Sequence, residues 1–314
     1  MTASLSPDRL RGALVGLAVG DPVGTTVEFM PPGTFDPVTD MVGGGPFDLR
    51  PGQWTDDTSM ALCLAESLVT CKGFDARDQM ERYVLWLRDG HMSSTGKFFD
   101  IGHTTRSSLE EFIRTGEPYA GSTHPRAAGN GSAMRLAPVP MFFAKHARAA
   151  VAACADSSRT THGAPVAVDV CRYLGALLVG AFAGATKEEL LAPYFAPVAE
   201  LWKDQPLQSA VGDIAAGSFK AKKPPEIKGT GYSADCLEAA LWAFHTTRTF
   251  KDGCLAAVNL GNDADTTGAV YGQIAGAFYG EGNIPKEWRE RLAHRELISG
   301  LAEQLVGLAN GAAA

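Results

Sequence analysis

Small residues recur at helical spacing in two apolar stretches, GALVGLAVGD at 12–21 and GAVYGQIAGAFYG at 268–280. Glycine is a poor helix former on its own account. An apolar stretch that carries several of them one turn apart therefore describes a helix that others approach closely. These two stretches are expected to form the centre of a packed helical assembly. The rest of the chain agrees. Ser6-Pro7 ahead of Leu10, Leu14 and Leu17 reads as a cap, an N1 proline and an apolar face. Apolar residues at helical spacing predict further helices from 55 and over 75–87, 104–113, 132–143, 164–182, 234–245, 252–260, 266–279 and 286–309. No stretch alternates convincingly as a strand. The expected fold is all-α, one compact multi-helix domain over 1–314.

Apolar residues make up 45% of the chain and charged residues 20%, the balance of a soluble globule. The formal net charge of −7 argues against nucleic acid as the main partner, which requires a cationic footprint. Cys63, Cys71, Cys154, Cys171, Cys236 and Cys254 form no C-x-x-C pair, and the N-terminal stretch does not read as a secretory leader. That stretch is also too short and too glycine-rich to span a bilayer. Reduced thiols in a cytoplasmic protein without a membrane span are the expectation. Four long irregular pieces, 21–54, 89–103, 116–131 and 217–233, are where function is expected to lie.

Two acidic segments stand out, Trp54-Thr55-Asp56-Asp57-Thr58 and Asn262-Asp263-Ala264-Asp265-Thr266-Thr267, each where a loop meets a helix. Helix capping explains either one alone. Together they offer an all-oxygen donor set, which suits Mg²⁺, Mn²⁺ or Ca²⁺ better than zinc. If the loops meet, four carboxylates crowd together and cations must offset their repulsion, as a dinuclear site does in hydrolases. Spacing along the chain does not itself bring them together.

At these residues the chain resembles the ADP-ribosylglycohydrolase family, most closely its bacterial ADP-ribosyl-dinitrogen reductase hydrolases. The resemblance runs in order through LRGALVGLAVGDPVGTTVEFM, GGGPFDLRPGQWTDDTSMAL, FDIGHTTRSSL, AGNGSAMRLAP, RTTHGAP, GTGYSADCLEAALWAF and NLGNDADTTGAVYGQIAGAFYG. It implies an all-α fold around a central dinuclear magnesium or manganese site, with Thr55, Asp56, Asp57, Asp263, Asp265 and Thr266 as ligands. It makes Glu28 a glutamate beside the metals that gates or assists catalysis, where a loop ion pair is the plain alternative. Asp100 matches the acid facing the scissile bond. His103 is a departure, because that branch usually carries an asparagine there that helps position the arginyl group. Gly129, Asn130, Gly131 and Ser132 match the loop that holds the ADP-ribose diphosphate, and an opening helix would aim amides at that anion. His162 matches a residue beside the nucleotide, and Tyr232 one that borders the adenine.

The implied reaction is removal of ADP-ribose from a modified side chain, with arginine the expected linkage. Alternatives are an O-linked substrate, on serine or as O-acetyl-ADP-ribose, and a non-catalytic ADP-ribose-binding relative. The implied partner is an ADP-ribosylated protein, dinitrogen reductase being the target of that branch, and ADP-ribose is the product. Asp56 or Asp57 would orient the attacking water, while Asp100 would handle a proton or bind the leaving guanidinium. Other chemistries lack their signatures: Ser132 is not in G-x-S-x-G, and no cysteine–histidine pattern marks a thiol nucleophile.

Overall fold

In the computed structural model, which describes residues 5–311, Ser6 accepts a hydrogen bond from the Arg9 amide and Pro7 opens helix α1, Pro7–Gly24. The first four and last three residues of the unit expected over 1–314 lie outside the described part. The chain continues through α2 (Asp56–Cys71), α3 (Ala76–Asp89), α4 (His103–Thr115), α5 (Pro138–Phe142), α6 (Ala147–Arg159) and α7 (Pro165–Phe182). Then come α8 (Lys187–Leu190), α9 (Ser209–Ala216), α10 (Ser233–Thr246), α11 (Phe250–Val258), α12 (Ala264–Tyr279), α13 (Lys286–Arg291) and α14 (Arg295–Gly311). Among the described residues there are isolated β-bridges but no strand. The helical expectation holds.

The two glycine-rich stretches are α1 and α12, and they pack antiparallel against each other. A Cβ added to Gly16 would lie 2.2 Å from the carbonyl oxygen of Gly272, and one added to Gly20 would lie 2.0 Å from that of Gly268. No side chain fits between these backbones, so the glycines set the distance between the axes. The antiparallel arrangement decides where the chemistry sits. It places the last turn of α1, with Asp21, and the loop carrying Glu28 beside the first turn of α12, with Asp265.

Helix α2 docks on the same end. The buried Asp21 carboxylate accepts the backbone N–H groups of Thr55 and Thr58, both at 3.0 Å, and their two hydroxyls. An acid of α1 thus satisfies donors that a helix N-terminus leaves open.

Three expected helices differ. The segment predicted as one helix over 132–143 is a run of hydrogen-bonded turns followed by the short α5, because Pro138 and Pro140 cannot donate the amide bonds a continuous helix needs. The predicted helix over 286–309 is split into α13 and α14, with His294 in the left-handed region (φ 44°) and the Ala293 amide given to the Gly52 carbonyl. Helix α1 runs past Asp21 to Gly24 with Pro22 inside it. Of the described helices α7 alone is long and apolar enough to cross a membrane by length and composition, and 89% of it is buried within the protein. The cysteines are free, and all but Cys71 are buried.

Candidate active site

Glu28, Asp56, Asp100, Asp263, Asp265 and Thr266 line a cavity of about 390 Å³ together with His103, Gly129, Asn130, Gly131 and His162. Larger concavities exist, such as one of about 550 Å³ beside Lys187 and His245, but they gather no such acids. Eleven of the residues singled out in the sequence, from six separate segments, line this one space.

The two acidic loops do meet. The Thr55 hydroxyl lies 3.1 Å from Asp265 Oδ2, 3.2 Å from Asp57 Oδ2 and 3.0 Å from Asp21 Oδ1. One hydroxyl proton cannot serve three carboxylate oxygens. Thr266 Oγ1 stands 3.5 Å from Asp57 Oδ2 on the other side. Glu28 Oε2, Asp57 Oδ1 and Asp265 Oδ1 are buried with no hydrogen-bond partner among the described residues. One oxygen each from Glu28, Asp100 and Asp265 falls within 4.8 Å of the others. Buried, unpaired, converging carboxylate oxygens are the donor set of a hard divalent cation. The residues present fit such an ion. Glu28 and Asp100 belong to the compact group of oxygens, so both face the cluster that the sequence assigned to the other acids.

Electrostatics describe the same crowding. Burial, followed by repulsion from Asp56 and Asp263, pushes the Glu28 carboxyl up to about 9. Burial and the neighbouring Asp56 and Glu28 push Asp100 up to about 10. Asp57 and Asp265 are raised well above the carboxylate range, by burial first and then by neighbouring acids, Asp21 foremost for Asp57 and Glu28 foremost for Asp265. Asp21 reaches about 6 through burial, in spite of four hydrogen bonds that favour its ionised form. The cluster must take up protons or bind cations.

Asp100 occupies the left-handed region at φ 54°, as do Phe29 and Asn262, which flank the acids. Phe29 donates to the Asn262 carbonyl and Asn262 to the Met30 carbonyl, which ties the Glu28 loop to the loop ahead of α12. Non-glycine residues held there are strained, and such positions concentrate at functional sites. His103 is the exposed first residue of α4 and faces the cavity beside Asp100.

The 129–132 loop does not open a helix, which corrects the expected dipole-assisted anion site. Residues 130–135 form successive turns, with the Ala133 and Met134 amides both bonded to the Asn130 carbonyl. Asn130 Nδ2 donates to Asp263 Oδ2 at 2.8 Å, so this loop is latched to the acid cluster. The Ser132 side chain is buried away from the cavity lining, 2.8 Å from the Ser158 hydroxyl. The His162 ring lies against the loop: a Cβ on Gly131 would meet its Cε1 at 2.8 Å. Tyr232 is the N-cap residue of α10 and is 39% exposed; it follows Gly231 of the cavity lining and its backbone bridges to Gly129, but it does not itself line the cavity.

Sequence reasoning did not find Asp21, which orders the Thr55 turn. The signal available was an acid in GDPVG at the end of an apolar helix, with no basic residue nearby in the chain. It also passed over Arg135, fully buried behind the 129–132 loop.

A family model described as ADP-ribosylglycohydrolase matches residues 1–314. The ADP-ribosylarginine hydrolase Tri1 of Serratia proteamaculans (strain 568) is 46% identical over 306 residues, covering 98% of this chain and 81% of its own. The ADP-ribosyl-dinitrogen reductase glycohydrolase of Rhodospirillum rubrum is 33% identical over 303 residues, covering 93% and 92%. A solved structure of an ADP-ribosylglycohydrolase-related protein complex is similar with a TM-score of 0.85 at 46% identity, covering 96% of this chain and 98% of that one. With the family model matched over its full length and its fold shared with a 46% identical solved structure, the chain belongs to the ADP-ribosylglycohydrolase family.

Proposed function

We propose that this protein is a hydrolase that removes ADP-ribose from ADP-ribosylated arginine, with two divalent cations, Mg²⁺ or Mn²⁺, held between residues 55–57 and 263–266. The observation that carries this reading is the ring of unpaired buried carboxylate oxygens at the floor of a cavity of ligand size. The Serratia relative is named for the arginine linkage, which supports the same choice here.

Thr55, Asp56, Asp57, Asp263, Asp265 and Thr266 would hold the ions, with Glu28 and Asp100 close enough to join them. Bound divalent ions supply Lewis acidity and make water acidic enough to ionise near neutral pH. The protein's own residues do the rest. In the reaction, water's oxygen bonds to the anomeric carbon, the carbon–nitrogen bond breaks, and the guanidine leaves with a proton. Asp56 would accept the water's proton, since it borders both the cluster and the cavity. Asp100 contacts Asp56 through a hydrogen bond and faces the cavity beside His103, so it stands where the leaving guanidine nitrogen would take up a proton. Gly129 and Gly131 would leave room for the diphosphate, and Tyr232, next in the chain to Gly231 of the lining, would border the adenine.

The test uses arginine-ADP-ribosylated and serine-ADP-ribosylated proteins, each incubated with the enzyme in Mg²⁺ or Mn²⁺, with products identified by mass. Free ADP-ribose and unmodified arginine are expected. Release from the serine-linked protein alone would replace arginine with the O-linked substrate. Cleavage within the diphosphate would overturn the glycohydrolase reading.

A further inference from the structure

Arg135 is wholly buried, yet among the described residues it takes part in no ion pair. Its guanidinium stacks on Tyr83, with Cζ 4.6 Å from the ring centroid, and donates to the Gly131 carbonyl at 2.9 Å. Its Nη2 donates to the Thr161 hydroxyl at 2.6 Å. A buried cation without a counter-charge is costly, and here only hydrogen bonds and a ring face offset that cost.

A guanidinium only donates, so Thr161 Oγ1 accepts from Arg135. The same hydroxyl lies 2.9 Å from His162 Nδ1. Thr161 is fully buried, and among the described residues its hydroxyl has no hydrogen-bond partner besides Arg135 and His162. If Nδ1 carried the proton, the hydroxyl hydrogen would be left buried and unpaired, which folded proteins avoid. Nδ1 is therefore the acceptor, and a neutral imidazole then carries its proton on Nε2. That atom has no partner among the described residues. It faces the cavity: a Cβ on Gly129 would meet it at 3.3 Å and one on Gly131 at 3.1 Å. The ring is only 2% exposed, and its backbone is pinned by Ser158 at both N–H and carbonyl. Burial, and then the Arg135 charge, hold the His162 imidazole down at about 3, so it stays neutral.

We propose that Arg135 and Thr161 are positioning residues that fix His162 as the Nε2–H tautomer, so that a buried cation is relayed into one aimed hydrogen-bond donor for the diphosphate of ADP-ribose. The relay rests on the ADP-ribose reading of the cavity. It also assigns the glycines at 129 and 131 a reason: a side chain at either would cover the donor. Neutrality matters too, because a donor that never ionises works across the whole pH range of the enzyme.

The test compares Thr161→Val, which keeps the shape and removes the hydroxyl, with Thr161→Ser, which restores it. Nitrogen-15 spectra of histidine-labelled protein report the His162 tautomer, calorimetry reports ADP-ribose affinity, and Mn²⁺ affinity reports the integrity of the acid cluster. Wild type and Thr161→Ser are expected to show a protonated Nε2 and bare Nδ1. In Thr161→Val the single tautomer is expected to be lost and ADP-ribose affinity to fall about tenfold, with Mn²⁺ affinity unchanged. A Thr161→Val protein with the wild-type tautomer, or with unchanged ADP-ribose affinity, overturns the relay. So does a parallel loss of Mn²⁺ affinity, which would mark general loosening. Wild-type protein that binds no ADP-ribose overturns the functional reading instead. Arg135→Met is the second variant, expected to act in the same direction.

Discussion

The Thr55 hydroxyl stands 3.1 Å from Asp265 Oδ2 although 210 residues separate them in the chain. That contact joins the first turn of α2 to the first turn of α12 and makes one cluster from two acidic loops. Each loop alone is an ordinary helix start. Joined, they put more carboxylate oxygens in one buried place than the available hydrogens can satisfy. Asp265→Asn removes one charge while keeping the shape. Turnover is expected to fall by at least about 100-fold, as loss of a cation ligand would demand. The melting temperature of the metal-free protein is expected to rise by about 2 °C or more, because repulsion is relieved. Turnover near wild type would remove Asp265 from the site.

Metal-free protein should also report the crowding through pH. Glu28 is raised from 4.5 to about 9 and Asp100 from 3.8 to about 10. Between the unfolded and folded values the native chain binds more protons than the unfolded one, so stability falls as pH rises. The stability these protons confer is present below about pH 4 and is lost progressively toward pH 9–10. In a chelator, the melting temperature is expected to be lower at pH 9 than at pH 6. Saturating Mn²⁺ should flatten that slope and release protons on binding. A melting temperature that rises from pH 6 to pH 9 in chelator would contradict the crowded cluster.

Tyr232 offers a test of where the adenine rests. The residue is 39% exposed and next in the chain to Gly231 of the cavity lining, so little core packing depends on it. Tyr232→Ala is expected to weaken ADP-ribose binding by ~1–3 kcal/mol in calorimetry, the worth of one base–aromatic stack. The melting temperature should stay within a degree or so of wild type. Unchanged affinity would move the adenine elsewhere.

His103 is exposed at the start of α4 and lines the cavity. In the proposed reaction it is a hydrogen-bonding contact to the arginyl group, and so replaceable. His103→Asn is expected to keep kcat within about tenfold and to act mainly on KM. A kcat loss of ~10²–10⁴ is the size of a missing general acid or base, and would give His103 that role.

Much of this site was legible in the chain. WTDDT and NDADTT announced a concentration of carboxylates and hydroxyls by residue type, and the glycines of α1 and α12 announced a close helix pair. Their meeting was not legible, because it follows from the antiparallel fit of Gly16 against Gly272, a relation between segments that neither contains. Asp21 escaped for the same reason: its partners, Thr55 and Thr58, lie 34 and 37 residues away. The helix expected after Ser132 failed on local grounds. Apolar spacing there is helical, but Pro138 and Pro140 withhold amides, and the turns before them are held by the Asn130 carbonyl. The break at 292–294 was set from outside, by the Ala293 amide bonding to Gly52.

Anomalous scattering from manganese-soaked crystals addresses the joined loops most directly. Two peaks are expected, about 3.5–4 Å apart, each within bonding distance of oxygens from both 55–57 and 263–266. A single peak, or peaks touching only one of the two loops, would contradict a centre built from both.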